Sequence, residues 1–77
     1  MLIRWINGFE ITVRTEGGEV IIEANREGML SLANQLLDLA DAQPGTHIHY
    51  DQYNSLEEGS AELVICRVEG SQTEEEI

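Results

Sequence analysis

Asn25-Arg26-Glu27-Gly28-Met29-Leu30-Ser31-Leu32-Ala33-Asn34-Gln35-Leu36-Leu37-Asp38-Leu39-Ala40 is the stretch around which the rest of the chain is organised. Asn25 suits an N-cap, because its side-chain oxygen accepts an amide at the open end of a helix. Glu27 in the first turn complements the helix dipole. Met29, Leu30, Leu32, Ala33, Leu36, Leu37, Leu39 and Ala40 recur at three- and four-residue spacing. Their arc is wide, so the helix is expected to pack broadly onto something flat, most simply a sheet. Pro44-Gly45 is expected to end it after Gln43.

On the N-terminal side, Phe9-Glu10-Ile11-Thr12-Val13-Arg14 alternates apolar and polar residues, as a strand with one buried face does. Gly17-Gly18 supplies a turn, and Val20-Ile21-Ile22-Glu23-Ala24 returns as the second arm of a hairpin. Asn7-Gly8 is a further hairpin signal and predicts an extra strand at Leu2–Ile6. On the C-terminal side, Thr46–Tyr50 alternates again, and Asp51 to Gly59 reads as a polar loop. Ala61–Val68 reads as a last strand, apolar on both faces at its centre. Such a strand is central in a sheet or has its outer face covered by another chain, which makes a homodimer possible.

The resulting expectation is an α+β fold: a mostly antiparallel four- or five-stranded sheet in the order (β)ββαββ, with one amphipathic helix on one face. Residues 1–70 form a single domain in this reading, and 71–77 an acidic, disordered tail.

Charge is the outlying property of the composition. Fifteen acids against four arginines, with no lysine, give a formal net charge of −11 over 77 residues. This excess destabilises the compact state by self-repulsion but speeds encounter with a basic partner. It argues against direct binding of nucleic-acid phosphates. Residues 57–77 hold seven acids and one arginine, a formal −6, so over half the charge lies there. No apolar run is long enough to span a membrane. Asn7-Gly8 interrupts the apolar start too early for a signal-peptide core, so a cytoplasmic location is expected. Cys66, the sole cysteine, sits in the apolar run Leu63–Cys66 and is expected to be a buried structural thiol.

Two candidate sites emerge. His47, His49 and Asp51 form H-x-H-x-D, which on a strand would place both imidazoles and the carboxylate on one face, as a metal or small ligand requires. The structural alternative is a pair of histidines that are either solvated or paired with cross-strand acids such as Glu10 or Glu23. The second candidate is an acidic protein-binding surface. Glu57, Glu58 and Glu62 surround Gly59, where they either keep an edge soluble or meet a basic partner. Asp38 and Asp41 lie in the last helical turns, where a carboxylate typically costs about 0.3–1 kcal/mol. Asp51 and Tyr53 complete the set, with Tyr53 the exposed aromatic anchor. Tyr50 shares its strand face with Ile48 and reads as core, and Trp5 reads as packing at the sheet edge. The chain carries no glycine-rich phosphate loop, no G-x-S-x-G and no C-x-x-C, so binding without a cofactor is expected rather than catalysis.

The ordered combination Glu23–Ala33, Gly45-Thr46-His47-Ile48-His49-Tyr50-Asp51 and Leu56-Glu57-Glu58-Gly59-Ser60-Ala61-Glu62-Leu63-Val64-Ile65 resembles the small acidic immunity proteins of bacterial polymorphic-toxin systems, in particular immunity protein family 32. The resemblance covers roughly residues 9–68. Thr46-His47 stands where Ser-His is expected, and Cys66 where a charged residue is usual. The resemblance implies a protein that inhibits a cognate toxin by tight stoichiometric binding.

Overall fold

Backbone groups near the helix N-terminus decide how the elements assemble. In the computed structural model, which describes residues 2–70, the elements are β1 (Ile11–Glu16), β2 (Glu19–Ala24), α1 (Arg26–Ala40), β3 (His47–Tyr50) and β4 (Leu63–Cys66). The expected acidic tail, 71–77, lies outside the described residues.

β1 and β2 pair antiparallel from Ile11↔Ala24 to Glu16↔Glu19. Gly17 and Gly18 both have positive φ, 54° and 86°, as a two-residue turn matched to strand twist demands. β3 and β4 pair antiparallel from His47↔Cys66 to Tyr50↔Leu63. One core joins both pairs to the helix: Ile11 and Val13 from β1, Leu32 and Leu39 from α1, Ile48 and Tyr50 from β3, and Leu56. Leu56 belongs to the segment expected to be a polar loop.

The expected four- or five-stranded sheet is not formed among the described residues, which hold two separate two-stranded sheets. The reason lies in the segment before β4, which occupies the free edge of β1. Glu57 N donates to Ile11 O at 2.9 Å and Ala61 N to Val13 O at 2.8 Å. Between them Gly59 has φ 87°, and Val13 N donates to a side chain, Ser60 Oγ, at 3.2 Å. A hydroxyl has taken the place of a ladder carbonyl, so a regular strand cannot propagate.

The extra N-terminal strand is also absent. Its groups are taken by the helix instead: Ile6 N donates to Ser31 Oγ and Gln35 Nε2 to Arg4 O, both at 2.8 Å. The Asn7-Gly8 turn does form, with Phe9 N donating to Ile6 O and Gly8 at φ 90°. It delivers β1 from Ile11 rather than Phe9. Trp5 packs as expected, stacked on Phe9 with ring centroids 4.3 Å apart and edge-on to Tyr50.

The helix starts where Asn25 places it. Asn25 Oδ1 accepts from Gly28 N at 2.8 Å and from Glu10 N at 3.0 Å, while its Nδ2 donates to Gly8 O. One side chain thus ties the cap to the preceding turn and to the chain entering β1. The helix stops at Ala40, capped by Asp41, because Asp41 N and Ala42 N bond back three residues to Asp38 O and Leu39 O. Broad packing of its apolar arc is not observed either: Leu32 and Leu39 are buried, whereas Met29, Leu30, Leu36 and Leu37 are exposed. The buried face is narrow and partly polar, holding Gly28, Ser31 and Gln35 beside the two leucines.

Two expected outcomes test this junction. A Cβ on Gly28 would lie 2.7 Å from Glu10 O and 2.9 Å from Ile11 Cγ1. Because the first obstacle is backbone and cannot rotate away, Gly28→Ala should destabilise by about 1–3 kcal/mol despite alanine's better helix propensity. A lower urea midpoint is the readout, and an unchanged or higher one contradicts it. The second concerns Tyr50, whose hydroxyl donates to Gln35 Oε1 at 2.8 Å inside the core. Burial pushes its phenol above the ordinary value. The proton is therefore held more tightly in the folded chain, so this stability is complete below the unfolded pKa of ~10 and is lost as pH rises through the higher folded value. Tyr50→Phe should remove that alkaline component and, by leaving Gln35 Oε1 unpaired, cost about 1–3 kcal/mol at neutral pH. Urea titrations of both proteins at pH 7 and above pH ~10 check both effects.

Candidate protein-binding surface

The antiparallel register sorts the β3–β4 pair into two faces. Ile48, Tyr50, Leu63 and Ile65 turn to the core, and His47, His49, Val64 and Cys66 turn outward. Both imidazoles are exposed and lie edge-on with centroids 4.9 Å apart. His47 Nδ1 is 3.0 Å from Gly45 O.

The expected trio does not assemble. Asp51 follows the last residue of β3, where the chain turns, and its Oδ1 accepts the amides of Tyr53 and Asn54 at 2.8 and 3.0 Å. Among the described residues no group of three His, Cys, Asp or Glu side chains comes together as a metal ion needs. The alternative partners Glu10 and Glu23 are not placed opposite the histidines either. Glu23 pairs across the other sheet with Thr12, and its carboxylate meets Arg14 Nε at 3.2 Å. That hydrogen bond, with the charge of Glu23, holds the Arg14 guanidinium above its ordinary value.

Cys66 is exposed, contrary to the expected buried thiol. An apolar run looks buried on both faces only if both faces are covered, and here only one is. Val64 is half exposed and Val68 more so.

The acidic candidates fall into two groups. Asp51, Tyr53, Glu57, Glu58 and Glu62 lie on the segment between β3 and β4. Its first turn is firmly built: Asp51 O accepts the amides of Asn54, Ser55 and Leu56, and Asn54 Nδ2 donates to His49 O. This frame presents Tyr53 at 88% exposure. Glu57 and Glu58 are exposed, and Glu57 joins Glu10, Thr12, Glu23, Ala24 and Asn25 around an open hollow of about 370 Å³. Three carboxylates therefore share a depression at the helix N-terminal end, a grouping that no local motif announces.

Asp38 and Asp41 occupy the other end of the helix, ~20 Å away along its axis. Their unfavourable position is partly compensated by residues distant in sequence. Arg4 Nη2 is 3.5 Å from Asp38 Oδ2, and Arg67 Nε donates to Ala40 O at 3.3 Å. Arg67 also donates to Val68 O. The ion pairs among the described residues use Arg4 and Arg14 alone, satisfying Asp38, Glu16 and Glu23. Among the described residues Glu57, Glu58, Glu62 and Asp41 form no ion pair. No helix among the described residues is long and apolar enough to cross a membrane.

Comparison with known proteins gives one finding. The profile of a family described as Immunity protein 32 matches residues 19–68, well over half of the chain, from β2 through β4. No curated protein and no solved structure matches.

The outward thiol is checked directly. Native protein should react with an aromatic disulfide reagent at a rate close to that of the urea-unfolded chain. A large protection factor would place Cys66 inside.

Proposed function

Because the chain belongs to the Immunity protein 32 family, we propose that it neutralises a cognate bacterial toxin by stoichiometric binding through its acidic surface. The family match carries the reading. The distribution of charge supports it, because Glu57, Glu58, Glu62 and Asp41 serve no ion pair among the described residues. Tyr53 is on the same chain segment as Glu57, Glu58 and Glu62 and is held on a hydrogen-bonded turn, so little ordering entropy would be lost on contact. Asp51 contributes by holding that turn, and Asp38 extends the acidic border at the helix end.

The partner's contact surface is accordingly basic, as in enzymes that handle nucleic acids. Association between a −11 chain and such a surface is fast and sensitive to salt. The protein acts by occupying the toxin and carries out no chemistry itself.

Coexpression with the toxin-domain product of the neighbouring gene should restore growth; failure to protect overturns the reading. In the purified pair, the triple variant Glu57→Gln, Glu58→Gln, Glu62→Gln should associate roughly tenfold more slowly at low salt, with a small change in dissociation. The difference should fade toward 1 M salt, where the Debye length is ~3 Å. Stopped-flow association across a salt series provides the measurement.

A further inference from the structure

The helix carries more apolar surface than the fold uses. Met29, Ala33, Leu36, Leu37 and Ala40 recur at three- and four-residue spacing, with Leu30 alongside, and all six are exposed. Leu37 is 67% exposed, Met29 48% and Leu36 47%. These positions border the buried strip of Gly28, Ser31, Leu32, Gln35 and Leu39 but do not enter the core. Over ~17 Å of axis the stripe is continuous. Helix propensity does not require leucine there, since glutamate, glutamine or lysine would serve nearly as well in water. Contiguous exposed apolar surface edged by polar residues marks an interaction site.

The edge on one side of the stripe is acidic. Glu27, Asn34 and Asp38 recur along the helix at helical spacing, and Asp41 caps it. Of the three acids only Asp38 meets a cation, Arg4, among the described residues. This border selects the occupant. A second copy would bring together two chains that each carry −11 and repeat the same acidic edge. A protein surface with an apolar centre and a border of lysine or arginine matches both parts of the stripe. We infer that the exposed face of α1, centred on Leu36 and Leu37, is the apolar centre of the contact with such a partner, with Glu27, Asp38 and Asp41 as its acidic rim. The inference rests on the toxin-binding reading and locates the energetic centre of that contact on the helix rather than on the Asp51–Glu62 segment. The rim governs association rate, and the leucines govern dissociation.

Leu36→Asp and Leu37→Asp, made singly, test it against a catalytically inactive form of the neighbouring gene's toxin-domain product. Both side chains are exposed and lie outside the core, so circular dichroism and melting temperature should stay close to wild type. Each variant should bind roughly 30-fold or more weakly, mainly through faster dissociation. Val68→Asp, at an exposed apolar residue just past β4, should leave affinity within about threefold. Should either variant melt well below wild type, Leu37→Gln replaces it. Wild-type binding with unchanged affinity in the leucine variants overturns the helix-face assignment while leaving the toxin reading intact. A wild-type dimer in sedimentation equilibrium that Leu37→Asp dissociates also overturns it, by making a second copy the occupant. Absence of wild-type binding and of growth protection instead removes the toxin reading on which the assignment depends.

Discussion

The carboxamide of Asn25 and the missing side chain of Gly28 bring the start of the helix against the start of β1, and the remaining contacts presuppose that approach. Asn25 caps Gly28 N, receives Glu10 N and donates to Gly8 O, so three separate stretches of backbone converge on one side chain. Gly28 allows the convergence, because any β-carbon there would collide with Glu10 O. With the helix this close, Ser31 and Gln35 reach Ile6 N and Arg4 O, and Gln35 also reaches the Tyr50 hydroxyl of the second sheet. Buried polar groups therefore do the joining that a larger chain would leave to apolar packing, as a short chain with a small core requires.

Electrostatics follows a similar economy. Four arginines serve the whole chain. Arg14 staples the hairpin through Glu16 and Glu23, and Arg4 and Arg67, which lie on either side of the helix in sequence, both reach its C-terminus. The cations that stability would favour in the last helical turn are thus supplied through space. The carboxylates left over gather where the chain is exposed, and they set the kind of surface that can approach.

Much of the fold was legible in the residues themselves. The Gly17-Gly18 hairpin, the Asn25 cap, the helix, and the core assignment of Ile48 and Tyr50 depend on local rules of φ, capping and alternation, which neighbours seldom override. The errors share a different origin. Leu63–Cys66, the centre of the expected last strand, is apolar in sequence, yet whether both of its faces are covered depends on what packs over them, and Cys66 emerged exposed. Leu2–Ile6 has strand composition, but Ser31 and Gln35 claimed its backbone. In H-x-H-x-D the alternation holds for the two histidines and fails at Asp51, where the strand has ended and the carboxylate serves the turn.

By itself the sequence determined the element types, their order, the antiparallel hairpin and the strongly acidic character of the chain, because each follows from local geometry or from composition. Tertiary structure alone decided that the strands divide into two pairs, since Ser60 supplies an acceptor where a ladder would need a carbonyl. It also decided which part of the helix's wide apolar arc is covered. The periodicity of Met29 to Ala40 marks the whole arc as apolar, but a narrow contact governed by Gly28 leaves Leu36 and Leu37 facing water.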